Sequence, residues 1–361
     1  MFNIMKINLQ LFADAGTLVN TSKNYVNANT GESTAFATGQ SLAPELKIFY
    51  DTELLENARI EMFYAQFGKK QRLPAHHGRS IEWRKWNTFA KAEALTEGVI
   101  PTGQKFGVTS MMATINQYGT YASITDRLEL RAYDNIILGA TEEMGASAAE
   151  TQEALIRDAL LTGTNVLYCD NITLATGAVA STPTTAAAME ASATVMSLMT
   201  PDMVAKAVTK MKKDRVPTIG GKYYAVIHPS VAYDLRKSEG WLEAHKYAGV
   251  EQIYNGEIGE LHGVRFIENV FAPILTGDYA NKAGGATYAT YFFGKESFGI
   301  VDPEGGALEM IIKDKSEIGG PLNQFSTIGY KFETNGATIL YPERVLRVMS
   351  CSSYSATDEA N

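Results

Sequence analysis

The sequence predicts an α+β protein, and three observations carry that reading. Apolar residues keep helical spacing from about residue 126 to Gly163. Two segments, Ser80–Trp86 and Val108–Tyr121, alternate as strands do. Short β-branched and aromatic runs then recur between Val264 and Met349. Helical and strand periods in separate blocks, without a regular βαβ alternation, point to α+β rather than to a parallel doubly wound sheet.

The first thirteen residues set Ile7, Leu9 and Leu11 against Lys6, Asn8 and Gln10. This alternation suits a short strand or docking segment and lacks the continuous apolar core of a signal peptide. Residues 14–41 are mostly Thr, Asn, Ser, Gly and Ala. Such a segment cannot bury enough surface to offset its ordering entropy, so alone it is expected to be disordered. From Pro44, the recurrence of Leu46, Tyr50, Leu54, Ala58 and Met62 predicts a helix ending near Gly68.

Residues 69–124 change character. In Ser80–Trp86, Ile81, Trp83 and Lys85 share one face and Glu82, Arg84 and Trp86 the other. Gly98, Pro101 and Gly103 punctuate the polar stretch before the second alternating segment. The pattern predicts a long hairpin arm, and an isolated hairpin is marginal in water, so this arm needs a surface to lie on.

Asp126 and Glu129 have capping-box spacing ahead of the long helix, with a break conceivable at Asp134-Asn135. Its length would be on the order of 40–50 Å at 1.5 Å per residue. The Thr/Ala-rich stretch 173–194 reads as a loop entering a weak helix. Thr200-Pro201-Asp202 starts a further helix, with Val204, Ala207, Val208 and Met211 as its apolar face and Lys210, Lys212 and Lys213 at its end. Strands are expected at Tyr223–His228, Val264–Ile267, Thr287–Phe293, Leu308–Ile312 and Val345–Met349, and a short helix at Ser230–Lys237. Asn335-Gly336, between Ile328–Phe332 and Thr338–Tyr341, signals a hairpin.

Composition narrows the function. The net charge is -8 and the pI near 5.3, against the basic footprint of a dedicated nucleic-acid binder. The two cysteines, Cys169 and Cys351, form no disulfide framework. No apolar run approaches the length of a membrane span, so no membrane partner is expected.

The search for chemistry is empty at every motif. Gly220-Gly221-Lys222 lacks the rest of a phosphate-binding loop, and Gly294-Lys295-Glu296-Ser297-Phe298-Gly299 has one residue too many for a nucleophile elbow. His76-His77 reads as a solvated turn. His228, His245 and His262 are evenly spaced in unlike contexts, so a zinc site would need them to converge in space. Glu142-Glu143 and the pair Glu257 and Glu260 read as solvated faces. No catalytic, cofactor-binding or metal-binding residue is assigned. The basic-aromatic run Trp83-Arg84-Lys85-Trp86 could stack on single-stranded nucleic acid, but with this net charge an intersubunit contact is favoured. Candidate contact residues are Leu9, Leu11, Phe12, Trp83, Arg84, Trp86 and Glu97.

A resemblance adds to this. Met5–Ala13 looks like the start of many phage capsid and scaffold-type proteins. Further blocks follow in order: Phe49-Tyr50-Asp51-Thr52, Leu54–Ala58, Gln66-Phe67-Gly68, Ile81-Glu82-Trp83-Arg84 and Leu95-Thr96-Glu97-Gly98. Gln117-Tyr118-Gly119, Gly163-Thr164-Asn165-Val166, Ile227-His228-Pro229, Gly263-Val264-Arg265-Phe266 and Phe293-Gly294 complete the series. From about 5 to 350 the chain resembles the major capsid proteins of the N-four-like phage family.

The resemblance implies the Hong Kong 97-like capsid fold and no catalytic residues. It would make 1–44 an N-terminal arm and 45–68 a helical segment joining it to the peripheral domain. An extended loop would follow at 69–124, the peripheral domain's spine helix at 125–165, and an axial domain at 166–303. Peripheral strands at 304–335 and C-terminal strands and tail at 336–361 complete it. It implies pentamers and hexamers forming an icosahedral shell around double-stranded DNA, held without sequence-specific binding. Portal and scaffold protein would be partners, with decoration proteins as further candidates. The place would be the virion capsid, assembled in the host bacterial cytoplasm. Lysine–asparagine crosslinking, found in some relatives of the fold, has no constellation here and is expected to be absent. The competing readings are a decoration or tail-tube protein, an encapsulin-like compartment shell, and a soluble enzyme.

Overall fold

The computed structural model describes residues 24–26, 33–35, 63–74, 76, 78–92, 94, 97–98, 100, 103–131, 136–238, 241, 259–304, 306, 308–314, 317, 322, 324–355 and 357–361. The strand expected in the first thirteen residues, most of the polar arm, and the helix expected from Pro44 to near Gly68, up to Met62, lie outside them. Two units divide the chain, residues 1–58 with 127–134, and residues 59–126 with 135–361. In the first, β1 (Asn24–Val26) pairs antiparallel with β2 (Ser33–Ala35).

The second unit opens with a 3-10 turn at Tyr64–Gln66, where the expected helix was to end. It continues with β3 (Lys69–Leu73), β4 (Ser80–Trp86), β5 (Val108–Thr114) and β6 (Asn116–Thr125). The long helical pattern is realised as α1 (Asp126–Arg131), which after Asp126 belongs to the first unit, and α2 (Ile136–Leu161) in the second, with residues 132–135 outside the described set. At 26 residues, α2 is about 39 Å long.

Three short strands follow, β7 (Val166–Tyr168), β8 (Asn171–Thr173) and β9 (Val179–Ser181), then β10 (Val195–Ser197). Strands β10, β8 and β9 form a small antiparallel sheet. The loop and weak helix expected at 173–194 are therefore corrected to two strand–turn segments and one 3-10 turn at Ala186–Ala188. Asn171 holds this region together, its amide donating to Ser181 Oγ at 2.8 Å and to the Ala188 carbonyl at 3.1 Å.

Helix α3 (Pro201–Lys213) follows its sequence signals. Thr200 Oγ1 accepts from Met203 N–H at 3.3 Å, and Met203, Val204, Ala207, Val208 and Met211 are buried. Fully burying a side chain of valine or methionine size contributes roughly 1.5–3 kcal/mol, so this face anchors the helix. Strand β11 (Tyr223–Ile227) leads into α4 (Pro229–Lys237), whose first turn is capped by His228 Nδ1 accepting from Ser230 N–H at 3.2 Å.

The remaining strands are β12 (Glu260–Leu261), β13 (Val264–Glu268), β14 (Ile274–Leu275), β15 (Thr287–Phe293), β16 (Phe298–Pro303), β17 (Glu309–Lys313), β18 (Phe325–Thr334), β19 (Thr338–Ile339) and β20 (Val345–Ser350). The central sheet runs β12-β13-β11-β15-β20-β7, with β14 also on β15. Every residue of β15 and β20 is buried, because the sheet is covered on both faces. On one face Ala225, Ile227, Phe292, Leu346 and Val348 pack with α3 and α4. On the other, Val226, Tyr291, Phe293 and Val345 pack with Ile156 and Leu160 of α2 and with Tyr64.

Two further three-stranded sheets flank α2. Strands β17, β18 and β6 form one, seated on the helix through Ala148, Tyr330 and Phe332. Strands β19, β16 and β3 form the other, with β16 and β3 parallel. Here two expectations are corrected. The strand expected over Val108–Tyr121 is two strands, because beyond Ile115 the chain leaves β4 and pairs with β18 over ten residues. The hairpin expected at Asn335-Gly336 does not form. β18 pairs with β17 and β6, while β19 pairs with β16. Asn335 makes the turn a change of sheet, its Oδ1 accepting from Val301 N–H at 2.9 Å.

Candidate assembly interface

Strands β4 and β5 pair in one register from Ser80↔Thr114 to Trp86↔Val108. They form a two-stranded ribbon that joins no other strand among the described residues. The alternation in the sequence is the alternation of its faces. Ile81 and Trp83 turn inward onto a cluster of Leu73, Ala113, Ile115 and Val301. The Trp83 indole lies against Gly299, and Lys85 reaches Glu343 at 2.9 Å while standing 4.4 Å from the Tyr341 ring centroid. That ion pair is half-exposed and contributes little, so the packing of Trp83 and Ile81 roots the ribbon.

The far end of the ribbon lacks such cover. The chain closes locally, with Asn87 N–H donating to the Gly107 carbonyl at 3.0 Å and Gln104 bridging both backbone groups of Ala90 at 2.8 and 3.2 Å. Trp86 stacks on Phe106 with centroids 4.1 Å apart, and Phe89 on Phe106 at 5.4 Å. These rings still face solvent. Trp86 is 61% exposed, Phe89 56% and Phe106 58%; Ile100, between the two strands, is 93% exposed, and Met112, opposite Glu82 nearer the root, 70%. Clustered aromatic and aliphatic side chains on a narrow ribbon are the features of an interaction surface.

Of the residues singled out from the sequence, Trp83 is covered by its own subunit, whereas Arg84, Trp86 and Glu97 are exposed. Arg84 pairs with Glu82 at 3.1 Å on the outer face. Leu9, Leu11 and Phe12 lie outside the described residues. Sequence reading missed Phe89, Ile100, Phe106 and Met112. The signal was there, three large apolar side chains, Phe89, Ile100 and Phe106, in a stretch taken as a polar turn, and Met112 in the strand beyond it.

Cys169 and Cys351 are free and buried, and burial raises both thiols, that of Cys351 to about 12. Burial lowers the His228 imidazole, opposed by the Asp358 carboxylate. His262 sits in a turn and His245 lies outside the described residues. No group of three or more His, Cys, Asp or Glu suited to a metal ion occurs among the described residues. No helix there is long and apolar enough to cross a membrane.

Glu153 is a tie point. It is fully buried on α2, and its Oε1 accepts from the N–H groups of Phe63 and Tyr64 at 3.0 and 3.2 Å and from Asn269 Nδ2 at 3.0 Å. Burial raises this carboxyl above the ordinary range, while the donors and the Arg157 guanidinium act in the opposite direction. One side chain thereby joins α2, the segment entering the unit, and the loop after β13.

Known proteins share this architecture. The capsid protein of cyanophage P-SCSP1u superposes with a TM-score of 0.60 at 17% identity, covering 86% of this chain and 94% of that one. The cyanophage Pam1 capsid gives a TM-score of 0.63 at 12% identity, over 90% of this chain and 100% of that one. The capsid of Helicobacter pylori bacteriophage KHP30 gives 0.62 at 12%, over 84% and 95%. Among curated proteins, none matches the chain in sequence. The phage capsid protein family matches residues 108–335, from the start of β5 to the turn after β18. That match spans most of the chain, so the chain belongs to the phage capsid protein family, and its place is in the shell of the virion.

Proposed function

We propose that this chain is the major capsid subunit of a tailed phage, closing into pentamers and hexamers that tile an icosahedral shell around double-stranded DNA. The family match over residues 108–335 carries the reading. In it, the ribbon of β4 and β5 is the extended loop, α2 the spine of the peripheral domain, and the central sheet with α3 and α4 the axial domain. Portal and scaffold protein are its further partners, with decoration proteins as candidates on the outer surface. The reading assigns the chain no catalytic step.

The mechanism follows from the ribbon. Trp86, Phe89, Phe106 and Ile100 stay more than half exposed, so a neighbour that covers them supplies burial the subunit leaves unused. Each such contact is modest, but repeated in closed symmetry the contacts add to a stable container. Negative-stain electron microscopy of the recombinant chain, with light scattering for mass, tests this. Closed shells, or rings of five and six, are expected. A monomer at high concentration with its ribbon protected from proteolysis contradicts the reading.

A further inference from the structure

We infer that a basic patch at the C-terminal end of α3 is a contact surface for the phosphate backbone of nucleic acid. The inference rests on the capsid reading for the identity of the polyanion, the enclosed DNA. Residues 206–222 hold six basic side chains and one acidic, Asp214, in a chain whose net charge is -8. Lys206 is paired with Asp170 and Asp202, and Lys222 with Glu260. Lys210, Lys212, Lys213 and Arg215 have no ion-pair partner among the described residues, and the last three are exposed.

A lysine at a helix C-terminus is ordinarily explained by the helix dipole, which favours cations there. That explanation does not extend to the other chain segments at this end. Lys295 donates its N–H to the Pro217 carbonyl at 3.0 Å, which sets the turn before β16 beside the residues that follow Arg215. Arg344 joins the same edge, its Nη1 donating to the Lys295 carbonyl at 2.8 Å. Lys295 is exposed and likewise has no ion-pair partner among the described residues. The nearby acids Glu296 and Glu343 are engaged by Lys69 and Lys85. Three separate segments therefore bring cations to one edge, where Asp214 is the one acid among residues 206–222.

The surroundings favour phosphate over a protein partner. The apolar face of α3 is turned wholly into its own core, leaving Thr209, Lys212 and Lys213 outward. A protein interface is built on an apolar or aromatic centre, while phosphate contacts need only charge and hydrogen-bond donors. The acidic remainder of the chain does not cancel the patch, because charges beyond the Debye length, about 10 Å at 0.1 M salt, are screened. The contact is weak and independent of sequence, as a wall that must not trap its cargo requires.

The test is fluorescence anisotropy with a short labelled DNA duplex of mixed sequence and the full chain. Four phosphate contacts predict that raising salt from about 50 to about 200 mM weakens binding about a hundredfold. The variant K212Q/K213Q/R215Q/K295Q is expected to bind at least about tenfold more weakly, losing most of the salt slope. K70Q/R79Q/K237Q/K313Q, which removes equal charge from exposed sites elsewhere, should bind like the parent. Circular dichroism of each variant controls for folding. The inference is overturned if the parent fails to bind at low salt, or if both variants weaken binding equally. It is also overturned if the patch variant binds like the parent but no longer assembles, which would make the patch a contact with a second copy of this chain. Whether the parent forms shells is read separately, so failure of the capsid reading and failure of this inference are distinguishable.

Discussion

The indole of Trp83 lies so close to the backbone of Gly299 that a Cβ added at residue 299 would stand 2.8 Å from Cζ2. Gly299 cannot retreat, because β16 is held by β3 on one side and β19 on the other. Gly299→Ala should therefore displace Trp83 and loosen the root of the ribbon. Overpacking of this kind costs about 1–3 kcal/mol. The chemical-denaturation midpoint of the subunit should fall accordingly, and faster proteolysis within residues 87–107 should accompany it.

Asn335 directs the chain from β18 to β19. Its Oδ1 is the acceptor for Val301 N–H, and its Nδ2 donates to Thr338 Oγ1 at 3.2 Å. Asn335→Ala leaves a partly buried N–H without that acceptor and should cost about 1–3 kcal/mol. Equilibrium denaturation measures it, and Asn335→Asp, which keeps the acceptor oxygen, should recover part of the loss.

Glu153 predicts a pH dependence with a definite sign. Its carboxyl is raised above the ordinary 4.5 by burial, so it binds its proton more tightly in the folded state than in the unfolded. Its contribution is then full below the ordinary carboxylate value and is lost as pH rises through the raised one. Compared with Glu153→Gln, the parent should lose stability as pH climbs above the ordinary value of 4.5. Denaturation curves at pH values from below 4.5 upward check it. Glu153→Ala, which strands the donors of Phe63, Tyr64 and Asn269, should cost at least about 3 kcal/mol at any of these pH values.

Trp86 separates folding from assembly. Being largely exposed, it contributes little to the isolated subunit, and Trp86→Ala should leave the melting temperature nearly unchanged. Anchors of this kind at interfaces are worth about 2 kcal/mol or more. The concentration needed for shell formation should therefore rise by tenfold or more, as light scattering would record.

Local signals were legible and non-local pairing was not. Thr200-Pro201 and the lysines after Lys210 bracket α3, and the faces of β4 alternate as Ile81, Trp83 and Lys85 predict, because each signal acts within a few residues. Asn335-Gly336 misled because its turn chemistry is real but its flanking strands have better partners. β18 pairs with β6, more than 200 residues earlier in the chain, over a ten-residue register that two residues of β19 cannot match. The β8–β10 sheet was hidden by a Thr/Ala-rich composition with neither helical nor strand period. In the candidate interface, alternation put Trp83 and Trp86 on opposite faces but did not say which face turns inward, and both were named as contacts. Phe89 and Phe106 were not, since they meet through the closure of the ribbon rather than through spacing.

Hydrogen exchange over residues 87–107, compared between the free subunit and assembled particles, tests the central claim most directly. Coverage of the exposed ribbon end by a neighbour predicts fast exchange in the subunit and marked protection in the particle. Equal exchange in both states would show that assembly leaves Trp86, Phe89 and Phe106 uncovered and would contradict the account.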